Sequence, residues 1–298
     1  MKIGLMMPFN QVTVGPAAFA QKAEELGFES LWVPEHAVIP ARDRRFMARE
    51  GVADAYELMG DLFVALGMAA SVTKRIKLAT GICVLTDRNP LLTAKEAATL
   101  DLFSGGRLLM GVGVGSLHDA TAIMGIDPRR PWGRIADYVG AMRRLWTSDI
   151  SSYQGEFVSF QDVLSYPKPR QPNGPPVLIG SVSATESLMR KVARWADGWC
   201  PCSDAPHNPG GVTPEMLRQR LVDLRRHCEE LGRECDTMDI TICDISLMAG
   251  LPATRQDARD RVERFAQAGA GRFVAVIPLM GESNFAAGLG RLAELYLD

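Results

Sequence analysis

Eight times over, this chain follows a short apolar run with a stretch of helical period, and that repetition restricts the fold more than any single motif. The first unit shows the logic. Residues 3–7 are apolar; 16–26 (PAAFAQKAEEL) have helical spacing with proline in the first turn, and Gly27 stops the helix. The pattern predicts further strands over 31–33, 76–80, 108–112, 177–179, 198–200, 240–245 and 273–277. Helices are predicted over 58–70, 91–103, 132–146, 184–195, 214–231 and 256–268, with a last one ending at residue 297. Strands apolar on successive residues belong to a parallel sheet covered on both faces. About eight such units is the count of an α/β fold of the (β/α)8 TIM-like barrel type, in a single domain over 1–298. An open doubly wound sheet shares the alternation, but its first unit would carry a glycine-rich dinucleotide fingerprint, and none is present.

Insertions are predicted after strands 2 and 4. Residues 37–56 form a long, charged, variable loop over the barrel mouth. Residues 150–176 hold a hairpin (YQGEFVSF, 153–160) and a proline-rich loop (PKPRQPNGPP, 167–176). A Gly/Pro loop, 203–213, follows the sixth strand. Loops that follow barrel strands build the active face, so 37–56 and 203–213 are the segments expected to cover a site.

With 47% hydrophobic and 23% charged residues the chain has ample material for a core. A formal net charge of −2, with its arginines interleaved with acids, supplies no basic stripe for a phosphate backbone, so no nucleic-acid partner is expected. No apolar run reaches membrane-spanning length and MKIGLMMPFN is not a leader, so no membrane partner and a cytoplasmic location are expected. The six cysteines lack a CxxC pair and read as reduced, mostly buried thiols; Cys200-Pro201-Cys202 is the one close pair, and no metal site is expected from it.

Four stretches could carry chemistry. GVGVG (111–115) leaves a strand, where bare glycines either admit a ligand to the backbone or make a tight turn. GSVSATES (180–187) follows the fifth strand and opens a helix, whose free N–H groups beside Ser181 and Ser183 suit a phosphate; the alternative is that Ser183 only caps the helix. SLWVPEH (30–36) runs an apolar strand into Glu35 and His36, a general acid or base at a barrel mouth or else a solvated loop histidine. His118-Asp119 are polar groups after the glycine run. No GxSxG elbow occurs, so hydrolysis is not indicated.

Taken in order, GFESLWVPEH, LATGICVLTDRNPLLTAKEAATLDLFSGGRLLMGVGVGS, GRIADYVGAMRRLW, YQGEFVSF with its following PKP, and PPVLIGSVSATESLMRKVARWADGWCP resemble the bacterial luciferase-like family of flavin and coenzyme F420 oxidoreductases over about residues 1–202. The resemblance implies a cofactor ring over the barrel mouth, backed by a cis-peptide bulge near Gly81, Ile82 and Cys83. It implies that Gly113, Gly115 and Ser116 approach the cofactor's ribityl chain and that Gly180, Ser181, Val182 and Ser183 hold its phosphate. Glu35 and His36 would stand at the family's acid–histidine position, with His36 moving the proton and Glu35 orienting it or touching the ring. Phe9, Asn10, Phe46 and Met47 are the candidates for lining a small-molecule substrate pocket. The histidine favours F420-dependent hydride transfer over an FMNH2-dependent monooxygenase, with a non-catalytic flavin-binding protein as a third reading, and a homodimer is expected. Ser116 stands where the sugar-phosphate dehydrogenase branch has an acid, which argues against that activity.

Overall fold

The computed structural model describes residues 1–43, 57–115, 117–206 and 208–297. In chain order the strands are β1 (Lys2–Met6), β2 (Ser30–Val33), β3 (Lys77–Val84), β4 (Leu108–Gly113), the hairpin β5 (Ile150–Gln154) and β6 (Ser159–Leu164), then β7 (Val177–Ser181), β8 (Gly198–Pro201), β9 (Asp239–Asp244) and β10 (Arg272–Val276). All but the hairpin form one closed parallel barrel, sealed where β1 pairs with β10 (Ile3 with Phe273) and with β2 (Gly4 with Ser30). The helices are α1 (Pro16–Leu26), α2 (Leu62–Val72), α3 (Pro90–Ser104), α4 (His118–Ile123), α5 (Pro131–Thr147), α6 (Glu186–Trp195), α7 (Pro214–Glu230), α8 (Arg255–Gln267) and α9 (Phe285–Tyr296). The expected (β/α)8 barrel, with insertions after its second and fourth strands, is the observed fold. Among the described residues, no helix is long and apolar enough to cross a membrane.

Local chemistry sets the element boundaries. Pro16 starts α1 and Gly27, at φ 97°, ends it in the left-handed conformation. Helix α2 begins four residues later than the pattern predicts, because Asp61 caps it, its carboxylate accepting from the Val64 N–H at 2.9 Å. Alternation along the strands then sorts two cores. One residue from each barrel strand, from Met6 and Trp32 round to Val274, fills the interior. The opposite faces, with Leu5, Leu31 and Phe273, pack under the helices.

Two buried arginines lock this arrangement. Arg107 donates to the carbonyls of Ala70 (3.1 Å), Thr73 (3.1 Å), Ile76 (2.9 Å) and Ser104 (2.6 Å), satisfying the carbonyl ends of α2 and α3 at once. Arg272 plugs the amino-terminal end of the barrel, reaching Glu29 at 2.8 Å and Asp239 at 2.6 Å beneath the Trp32 ring. The hairpin is seated by Asp137, which accepts from the Tyr153 hydroxyl and the Phe157 and Val158 amides. One expectation is corrected: Cys228 and Cys235 form a disulfide joining the end of α7 to the approach to β9, so two of the six thiols are oxidised.

Arg107→Met would take its donor from three buried carbonyls and the half-buried one of Ala70, and we expect a loss on the order of 3 kcal/mol, read as a lower urea midpoint at unchanged slope.

Candidate active site

The floor of the barrel mouth is set on β3. Its register with β4 shifts between Thr80 and Cys83, and the Gly81–Ile82 peptide inside that shift is cis, where the family resemblance places a bulge. The shift leaves Ile82 half-buried at the mouth while Cys83 is fully buried in the outer core. Ile82 then explains glycines on its neighbours. A β-carbon on Gly113 would stand 2.4 Å from Ile82 Cδ1, and one on Gly180 would stand 2.3 Å from its Cγ2. Packing against Ile82 thus gives both glycines a reason inside the protein, beside the expected approach of a ligand. Gly81 is likewise required by the interior, since its β-carbon would meet Met6 Cε at 2.5 Å. Gly115 is different: its φ of 70° lies in the left-handed region that glycine favours. Burial, with Glu35 next to it, pushes the Cys83 thiol well up, and its side chain packs in the core under the helices.

On the far rim, the Ser181 hydroxyl accepts from the Trp199 indole N–H at 3.0 Å. Val182 and Ser183 follow as exposed residues between β7 and α6. The helix cap is Thr185, whose hydroxyl accepts from the Leu188 N–H, so Ser183 does not cap. The stretch 181–183 is thus presented at the carboxyl end of a barrel strand without a structural duty for Ser183.

Glu35 and His36 leave β2 in opposite ways. The Glu35 side chain is buried; its carboxylate accepts from the Val84 N–H at 2.9 Å, and from Arg88 Nε at 2.8 Å with Arg88 Nη2 also in contact. That makes Glu35 an anchor between the ends of β2 and β3, a duty the sequence did not suggest. His36 is half-buried and lines a cavity of about 340 Å³ with Ala37, Val38, Ile39, Pro40, Ala41, Glu57 and Met59. Burial holds the imidazole below its ordinary value, so it is neutral at pH 7.

The remaining substrate-lining candidates fare differently. Phe9 is buried against the edge of Phe19, with ring centroids 5.5 Å apart, and is a core residue. Asn10 shapes a turn, its side chain accepting from the Val12 N–H at 3.0 Å and its carbonyl from Thr13. Phe46, Met47 and Ser116 lie outside the described residues. Asp119 forms an exposed ion pair with Arg42, bringing the loops after β2 and β4 together. Cys200 and Cys202 face the barrel interior, with Cys200 Sγ 3.0 Å from Cys243 Sγ; burial, with Cys200 beside it, pushes Cys202 up to about 12, so it stays a protonated thiol. Among the described residues no group of three or more side chains could hold a metal ion.

Two features escaped the sequence. Arg88, in the turn after β3, contacts Glu35, Asp61 at 3.1 Å and Glu96 at 2.9 Å. Asp87 is buried and accepts from the hydroxyls of Thr86 and Thr121; burial raises its carboxyl above the usual range despite those bonds. Partners so far apart in sequence leave no spacing signal.

A family model for luciferase-like monooxygenases matches residues 1–295, and the chain belongs to that family. An uncharacterised protein of Mycobacterium tuberculosis is 40% identical over 203 residues, covering 67% of this chain and 71% of that one. The F420-dependent glucose-6-phosphate dehydrogenase of Amycolatopsis mediterranei is 32% identical over 229 residues, 75% of this chain and 62% of its own length. Among solved structures, the monooxygenase RslO1 from Streptomyces bottropensis superposes with a TM-score of 0.76 at 22% identity, over 100% of this chain and 99% of that one, a likeness of fold. The family's members are oxidoreductases or monooxygenases, and its relatives use F420 or FMN.

The burial of His36 has a measurable sign. Below pH 6.5 the unfolded chain takes up a proton that the folded site resists, so this histidine costs stability as the pH falls and contributes nothing above neutrality. An imidazole NMR titration, in a protein with only four histidines, should find His36 titrating below its ordinary value. In His36→Asn that acid-side loss should shrink.

Proposed function

We propose that this protein is a coenzyme F420-dependent oxidoreductase, passing a hydride between reduced deazaflavin and a small organic acceptor such as an enone, an imine or a ketone/alcohol pair. The observation that carries the reading is His36: a neutral, half-buried imidazole lining a cavity with Val38, Ile39, Glu57 and Met59, one residue beyond the anchor that ties β2 to β3. The mouth fits a flat cofactor, because Ile82 offers an apolar, half-buried pad at its floor while the open stretch from Ser181 to Ser183 lies on its rim. When bound, a deazaflavin supplies hydride chemistry and, with carbon in place of the reactive flavin nitrogen, suppresses reaction with oxygen.

The protein's own residues then have limited tasks. Val182, Ser183 and the rim amides would hold the phosphate, with Gly115 beside the ribityl chain. His36 accepts a proton when an alcohol is oxidised and, once protonated, returns it when a carbonyl or enone is reduced. The aliphatic cavity wall, Val38, Ile39 and Met59, excludes water from an apolar acceptor. The F420-dependent relative supports this branch, and the family's own description supports the alternative, an FMNH2-dependent monooxygenase working in the same cavity.

The partner we propose beyond substrate is a second copy of the chain. Helix α2 carries no charged residue, and Val64, Met68 and Val72 stand exposed along one stripe of it. Met68→Glu should convert a dimer to a monomer in light scattering after gel filtration; a wild-type monomer at micromolar concentration would remove the proposal.

The functional test is a titration of apo protein with F420 and FMN, followed by anaerobic turnover. His36→Ala should lower turnover by about 100-fold with cofactor affinity nearly intact. Near-normal turnover takes His36 out of the mechanism, and preference for FMN with strict oxygen dependence moves the assignment to the monooxygenase.

A further inference from the structure

The cavity beside His36 lies between two limbs of one excursion. The chain leaves β2 at Glu35 and lines the cavity with residues 36–41; it returns through Glu57 and Met59 and enters α2 at Asp61. Both feet of that excursion meet on one side chain. Arg88 Nη2 contacts Glu35 at the departing foot and stands 3.1 Å from Asp61 Oδ2 at the returning one. Its Nη1 is 2.9 Å from Glu96 on α3, and the guanidinium lies over the Phe63 ring at 5.0 Å. The Arg88 side chain is 14% exposed and that of Glu35 5%, so this pair is shielded from solvent far more than a surface pair, while Asp61 and Glu96 meet the guanidinium from the solvent side.

We propose that Arg88 is a positioning residue that clasps the two feet of the 35–61 excursion and so sets the separation of the limbs between which the acceptor is bound. The idea rests on reading that cavity as the acceptor site. Further bonds give each foot its own purchase. Glu35 also takes the Val84 N–H at 2.9 Å, Asp61 also caps α2 through the Val64 N–H, and Gly60 donates to the Phe9 carbonyl at 2.8 Å. Among the described residues, Arg88 is the side chain that links them. A planar fork of donors can serve three carboxylates in three directions; a lysine brings a single point charge and cannot bridge both feet with the same geometry.

Hydrogen exchange of the apo protein, followed by mass spectrometry, reads this without any activity. In Arg88→Met, amides in 36–41 and 57–60 should exchange about 10-fold faster or more while peptides from β7 to β10 keep wild-type rates. Asp61→Asn is the milder variant. Asparagine caps a helix as well as aspartate does, so α2 stays capped while the ion pair is lost, and only the 57–60 limb should exchange faster. This variant carries the test if Arg88→Met does not fold. F420 and FMN titrations of Asp61→Asn should agree with wild type within about twofold, whereas KM for cyclohexenone reduction should rise about fivefold or more at little change in kcat. Wild-type exchange in both limbs of Arg88→Met, acceleration spread evenly over the barrel, or unchanged exchange at 57–60 in Asp61→Asn overturns the clasp. Failure of wild-type protein to reduce any acceptor would instead sink the functional reading, with the exchange data still deciding the role of Arg88.

Discussion

The mouth of this barrel is organised by one side chain that the register shift on β3 turns inward. Ile82 stands over β4 and β7, and the space it occupies is space that Gly113 and Gly180 must leave. Separations of 2.3–2.4 Å are far inside any tolerated carbon contact, so an alanine at either glycine would displace Ile82 or part the strands. An apolar floor at Ile82 follows from this packing alone. It exists before any ligand arrives, which is the condition under which binding does not have to pay for ordering its own site.

Charge does a different job. Arg107, Arg272 and Arg88 are each buried or nearly so, and each joins elements far apart in sequence: two helix ends, the barrel base, and the feet of the β2 excursion. For Arg88 and Arg272, burial alone would favour losing the proton, and the facing carboxylates reverse that, holding the guanidinium firmly charged. Removing one partner from such a cluster costs more than its contacts contribute, because it leaves a desolvated charge behind.

This division explains what could be read in the sequence. The fold was legible because it rests on local repetition: apolar runs, helical periods and a stop signal such as Gly27, all within a few residues of what they control. The position of His36 was legible for the same reason, as a residue just past a strand end. The duties of its neighbours were not. Glu35 reads as a partner of His36 until the turn after β3 brings Arg88 to it, and Phe9 reads as pocket lining until α1 places Phe19 against its ring. Glycine is the hardest case, since the same residue answers to a ligand, to a turn, or to an isoleucine two strands away. Only the packing around Gly180 distinguishes these.

On the proposed reading, the two halves of the site, cofactor floor and acceptor cavity, are held by forces of unlike character. The cofactor floor is a matter of volume: it changes only if Ile82 and the glycines beneath it change together, since either alone leaves a clash or a void. The acceptor side is held at its feet by hydrogen bonds and ion pairs, each contributing about 1–3 kcal/mol when charged groups take part, and each altered by a single substitution at Glu35, Asp61 or Arg88. A barrel built this way can keep one cofactor geometry while the shape of the acceptor cavity is retuned at its limbs. If the cavity takes the acceptor as proposed, specificity belongs to residues 36–41 and 57–59, and cofactor choice to the rim formed by Gly115 and Ser181 to Ser183.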